Sequence, residues 1–286
     1  MDPISVVASS AIVGGVAGKF TEKAWDSGQK WLASYFQNHG NKAREKAKDN
    51  SYNFLTELDK RIKIIEESNQ ISKEQIETAQ DYPDFSALLQ KAFLNSAETE
   101  NREKHILLAN IVAEKLKAPA ESVSSLVSKM SCDAVSSANI RQLKILALQT
   151  NLLCVSPSSL PFNLVTQEQL QDWMQQWLVS RLIAYLDLTI EPIDLLHLEA
   201  LSCATVYPFS SRDLAQTISS KITEKSFNNF QFDLEKFKKC DLGNHIFKLW
   251  SNYNLQAVNL TSVGAFVGTY VSDVLTRQNT NFLGFE

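Results

Sequence analysis

The 286 residues, 44% hydrophobic and 21% charged, hold enough apolar material for a sizeable core, in one large domain or two small ones. A formal charge of −4 argues against a global nucleic-acid-binding surface. Cys132, Cys154, Cys203 and Cys240 lie far apart with no CxxC pair, and His39, His105, His197 and His245 lack metal-ligand spacing, so neither a disulfide framework nor a zinc site is set up and no cofactor is expected.

The chain opens with its most unusual stretch. From Ile4 to Gly18, ISVVASSAIVGGVAG carries no charge and three glycines. Asp2 stands where a secretory leader would need basic residues, and the run falls short of the about 20 residues of a membrane span. The expectation is a cytoplasmic protein, peripheral at the inner face of the membrane if this stretch meets lipid. Asp2-Pro3 suits a helix start, and Phe20, Ala24, Trp25, Trp31, Leu32 and Phe36 continue one apolar face. After a break at His39-Gly40-Asn41, a charged helix packed on one side is predicted from Lys42 to Glu67.

Asp81-Tyr82-Pro83-Asp84 reads as a turn, followed by a short helix through Phe85, Leu88, Leu89, Ala92 and Phe93. A longer helix follows from about Glu98 to Leu116, then helices carrying Leu126 and Met130, and Ile140 to Ala147. VSPSSLPFNLV, residues 155–165, is the clearest linker. Beyond it come a helix from Gln167 to Leu186, one from Pro192 carrying Leu195 to Ala204 and ending before Pro208, and another over Ser211 to Lys225. Leu242 to Tyr253 is helical, Leu255 to Leu260 alternates like a strand, and Ser262 to Leu275 forms the final helix. The fold class is therefore mainly α: a multi-helix protein with a small C-terminal β-ribbon or winged-helix-like element. The domain reading is 1–50, a glycine-rich helical region; 51–154, a helical domain; 155–165, a linker; and 166–286, a helical domain with the ribbon.

GGVAGK resembles a phosphate loop only superficially. Val13 stands where the first glycine is needed, and Phe20 where a magnesium-binding hydroxyl is needed. Gly14 and Gly18 instead form GxxxG, which permits close helix contact in protein or bilayer. Ile4, Val7, Ile12, Gly14, Gly15, Val16 and Gly18 are thus the candidate oligomer or membrane contacts. Lys42, Arg44, Lys46 and Lys48 form a basic stretch that could meet phosphates, though Glu45 and Asp49 interrupt it and no aromatic residues interleave. Trp173 and Trp177, one turn apart, suit a core or a subunit interface. Asp194 and His197 are also one turn apart, but no nucleophile is tied to them, and the expectation is a satisfied pair. No residue is assigned a catalytic role.

Three stretches together carry a resemblance: NREKHILLANIVAEKL (101–116), IRQLKILAL (140–148) and YNLQAVNLTSVG (253–264), with Leu260, Thr261 and Gly264 near the end. With the glycine-rich N-terminal helix they resemble the bacterial abortive-infection alpha (Abi-alpha) proteins and related helical phage-defence families. The resemblance implies a role in defence against bacteriophage, with host growth arrest or death as the output, and supplies no catalytic residue. The expected protein is a non-enzymatic one acting through oligomerisation, with itself or another protein, and through membrane association of its N-terminal helix. A soluble scaffold or regulatory interaction module is the first alternative. A nucleic-acid-binding module using Lys42 to Lys48 is the second.

Overall fold

The computed structural model describes residues 15–280 apart from 120–121, 163, 208, 210, 224–226, 228 and 279. These residues form thirteen α-helices and one two-stranded antiparallel sheet, a mainly α fold with a small β element. They fall into two compact units that divide between Ser136 and Ser137.

The first unit is built on α1 (Val16–Tyr35) and α2 (Asn41–Glu67). A short α3 (Lys73–Thr78) and a 3₁₀ turn, Ala79–Asp81, lead into α4 (Pro83–Ala97), with Pro83 in its first turn. Then follow α5 (Arg102–Lys115) and α6 (Val123–Ser137). The three- and four-residue apolar steps of α2 bury Phe54, Leu55, Leu58, Ile62 and Ile65. Residue 50, the expected domain boundary, falls inside this continuous helix, and both α1 and α2 belong to the first unit.

Phe93 is the hub of this unit. It is fully buried, with Trp25, Trp31 and Phe54 at ring-centroid distances of 6.4, 5.7 and 6.4 Å. Gly28 makes room for it, since a Cβ there would lie 2.2 Å from the Phe93 ring. Gly28 is not among the glycines singled out in the sequence, Gly14, Gly15 and Gly18. The end of α1 is closed by the next helix: the Arg44 guanidinium donates to the carbonyls of Phe36, Gln37 and His39 at 3.1, 2.6 and 2.9 Å.

The second unit contains α7 (Ile140–Leu153), α8 (Gln167–Leu182), α9 (Pro192–Ala200), β1 (Ala204–Val206), α10 (Leu214–Ser219), α11 (Leu234–Phe237), α12 (Asp241–Asn252), β2 (Val258–Leu260) and α13 (Ser262–Thr276). The 155–165 stretch lies within this unit, between α7 and α8. Capping boxes at Asn139/Gln142 and Thr166/Gln169 start α7 and α8 where the apolar pattern begins. The core seam is α7 against α13, where a Cβ on Gly268 would lie 2.1 Å from the Thr150 hydroxyl.

The ribbon pairs Ala204 with Leu260 and Val206 with Val258. Its first strand corrects the expected helix through Ala204. That helix stops at Ala200, and Ser202, with φ 56°, turns the chain through the left-handed region into β1. Thr261 then joins β2 to α13. Its hydroxyl donates to the Ser202 carbonyl at 2.6 Å and accepts from the Gly264 N–H at 3.1 Å. A side chain at Gly264 would collide with the Cys203 carbonyl, at 1.8 Å. Among the described residues no helix is long and apolar enough to cross a membrane.

Replacing Gly28 with alanine should lower unfolding free energy by about 2 kcal/mol, because the buried Phe93 ring has nowhere to go. Denaturant unfolding checks this. In a double-mutant cycle with Phe93→Leu the two losses should be less than additive; additive losses would mean that the ring and the glycine are independent.

Candidate functional site

The predicted contact residues divide at the start of α1. Ile4, Val7, Ile12 and Gly14 lie outside the described residues. Gly15 is exposed and takes φ 104°. Val16, Ala17 and Gly18 are buried in the first unit, so Val16 and Gly18 are occupied in holding α1 rather than facing outward.

The basic stretch is largely engaged. Arg44 is turned onto the three carbonyls just past α1, Lys46 pairs with Glu100, and Lys48 also has a partner. Trp173 and Trp177 are half-buried on the flank of α8, whose buried line is Leu170, Met174, Leu178 and Leu182. The Arg181 guanidinium lies 5.2 Å from the Trp177 ring centroid.

The imidazole candidates are held by polar partners. His105 is buried, with its Nε2 2.8 Å from the Thr99 carbonyl and 3.2 Å from that of Ser96. Asp194 and His197 do not bond each other but share Gln142. The Gln142 amide donates to Asp194 at 3.2 Å, and its oxygen lies 3.0 Å from His197 Nδ1. Arg141 closes the group, with Nε 2.9 Å from the fully buried Asp194 carboxylate and Nη1 2.6 Å from Glu191. Its hydrogen bonds to Glu191 and then to Asp194 raise the Arg141 guanidinium above its ordinary value. Such a network ties α7 to α9.

Among the described residues two cavities stand out. The smaller, about 230 Å³, lies in the first unit beside Thr78, Tyr82, Asp84 and Lys115. Its charges neutralise each other, because the buried Lys115 ammonium sits 2.7 Å from Asp84 and its hydrogen bond holds that carboxyl below the usual range. The larger is an open cleft of about 610 Å³ in the second unit, lined among others by Cys154, Arg212, Asp213, Gln216, Thr217 and Ser220.

Local structure fixes each wall of this cleft. Cys154 caps α7, its N–H bonded to the Thr150 carbonyl at 2.8 Å. Arg212 is pinned from three sides: its carbonyl accepts from Trp250 Nε1 at 2.9 Å, its N–H donates to the Gln256 carbonyl at 3.3 Å, and its Nη1 donates to the Val258 carbonyl at 3.0 Å. Asp213 is committed to α10, accepting the Gln216 N–H at 2.7 Å. Next to the cleft, the buried Lys221 ammonium donates to the Val155 carbonyl at 2.5 Å. Among the described residues neither Arg212 nor Lys221 has a carboxylate within ion-pair distance.

Burial pushes the Cys154 thiol above its ordinary value, while the charges of Lys221 and Arg212 pull it down. Burial also pushes Lys221 down to about 8, with the Arg181 charge acting in the same direction. Sequence reasoning missed this assembly because its members come from three stretches separated by tens of residues. Among the described residues no group of three or more His, Cys, Asp or Glu side chains is placed to hold a metal ion.

Lys221 carries a measurable consequence. Between pH 8 and its ordinary value of 10.5, the unfolded chain binds a proton that the folded chain does not. This group alone should therefore favour folding increasingly through that window, by on the order of 3 kcal/mol, while the buried Cys132 and Cys203 thiols, held above their ordinary value, pull the other way above pH 9. Urea unfolding of the natural chain and of Lys221→Met, compared at pH 7.5 and pH 10, should show a gain in the natural chain relative to the variant. Parallel pH profiles would refute it.

No curated protein and no solved structure matches the chain. A protein-family model whose description gives no function matches residues 18–241, more than half of the 286. The chain belongs to that family, of unknown function.

Proposed function

We propose that this is a non-enzymatic interaction protein that works through its uncharged N-terminal run, as an oligomer contact and a membrane-associating element. The observation that carries the reading is the seat of α1. Val16, Ala17, Phe20, Ala24, Leu32 and Phe36 are buried along it, so the base of the run is fixed to a folded unit. The residues ahead of that seat, Ile4 to Gly14, carry no charge, and removing apolar area from water favours contact by about 25 cal/mol per Å². The resemblance to abortive-infection alpha proteins supplies the setting, defence of a bacterial host against phage.

Because Val16 to Gly18 belong to the core, the informative deletion is residues 2–14. The full chain should co-sediment with anionic liposomes or form a larger assembly by light scattering, and the deletion should lose that property while keeping its unfolding midpoint. If both proteins behave alike in both measurements, the reading is wrong.

One observation favours a scaffold that meets protein partners instead. Val123, Leu126 and Met130, 62%, 51% and 48% exposed, form an apolar line along one side of α6. If that line is the contact, Leu126→Glu with Met130→Glu should reduce the assembly mass while the 2–14 deletion leaves it unchanged. The opposite pattern would exclude it.

A further inference from the structure

We infer that the cleft of the second unit binds a small, soluble, hydroxylated oxyanion, of the size and chemistry of a sugar phosphate or sugar acid. Three features of its wall converge on that class. The first is a guanidinium fixed in the wall without an ion-pair partner among the described residues. Arg212 lines the cleft with one of its five N–H groups bonded to the Val258 carbonyl, and the Lys221 ammonium is fixed to the carbonyl next to Cys154. Asp213, the carboxylate in the wall, is occupied as the α10 cap. A planar guanidinium held by its backbone on both sides is preorganised to meet two oxygens of a phosphate or carboxylate.

The second feature is the state of the hydroxyls. Thr217 donates to the Asp213 carbonyl at 2.7 Å, Ser220 to the Thr217 carbonyl at 2.8 Å, and Ser211 to the Gln256 side chain at 3.2 Å. Each hydroxyl proton is spent inside the protein, so what these oxygens offer a ligand is lone pairs. They suit the O–H groups of a polyol and do not suit the oxyanion itself. The amides of Gln216 and Asn259 supply both donors and acceptors on the same wall. The third feature is size and lining. About 610 Å³ falls within the range of small-molecule sites, and the described residues of the wall include no aromatic ring on which a nucleobase could stack.

Cys154 gives the test its reporter. It is exposed and lines the cleft, whereas Cys132 and Cys203 are buried. The full-length protein would be alkylated with iodoacetamide, and modification of each cysteine followed by peptide mass spectrometry. The probes are ribose 5-phosphate, gluconate, inorganic phosphate, ribose, and phosphatidylglycerol vesicles. Ribose 5-phosphate or gluconate should slow alkylation of Cys154 several-fold and leave Cys240 unaffected, with phosphate weaker and ribose inert. Arg212→Gln should abolish the protection. Because Arg212 also braces β2, Gln216→Glu is the companion variant: it places a negative charge at an exposed wall position and should abolish protection with the unfolding midpoint unchanged. Absence of protection by any soluble probe, protection that survives Gln216→Glu, equal protection by ribose, or protection by vesicles alone would each overturn the inference.

Discussion

The first unit depends on one close approach. A phenylalanine ring at position 93 occupies the volume that a side chain at Gly28 would fill. That ring is then surrounded by Trp25, Trp31 and Phe54, so residues from α1, α2 and α4 meet at a single point. Close-packed interiors do not yield to one extra methyl group without displacing a neighbour. The orientation of α1 follows from this contact. The Arg44 bonds to the carbonyls of Phe36, Gln37 and His39 hold the chain just past its other end, so α1 is fixed at its middle and beyond its terminus by side chains from other helices.

The second unit uses the same device twice. Gly268 lets α13 lie against Thr150 of α7, and Gly264 lets the start of α13 reach the Cys203 carbonyl. Between them they set the position of the ribbon, because Thr261, the residue that caps α13, also bonds the chain that leaves α9. The ribbon in turn supplies the Val258 carbonyl that orients Arg212. A path of ordinary packing contacts thus runs from a helix seam to the charged wall of the cleft.

Much of the helical layout was legible because it is local. The apolar steps of α2, the turn at Asp81 to Asp84 and Pro192 at the start of α9 all act within a few residues. The errors arose where long-range partners decide. Ala204 to Val206 became a strand because β2, more than fifty residues later, offers it a ladder, and nothing in its own apolar pattern distinguishes it from a helix end. Gly28 sits in a polar-looking stretch, DSGQK, with no GxxxG spacing to mark it, and its meaning lies entirely in Phe93.

Charge shows the same divide more sharply. Lys42 to Lys48 is conspicuous in the sequence because its cations are adjacent, yet Arg44 is spent on carbonyls and Lys46 on Glu100. Arg212 and Lys221 are inconspicuous, nine residues apart in a mixed stretch, yet the folded chain brings neither of them a carboxylate. Removing an ammonium from water without an anion costs several kcal/mol, and the depressed Lys221 value records that cost. A cluster of like charges in a sequence therefore says little about binding until its partners are known. What a cation can do depends on whether the fold holds it in place and what it is paired with, and Arg212 and Lys221, beside Cys154, are held by carbonyls without an ion-pair partner among the described residues, as Lys104 is by the Ser136 carbonyl.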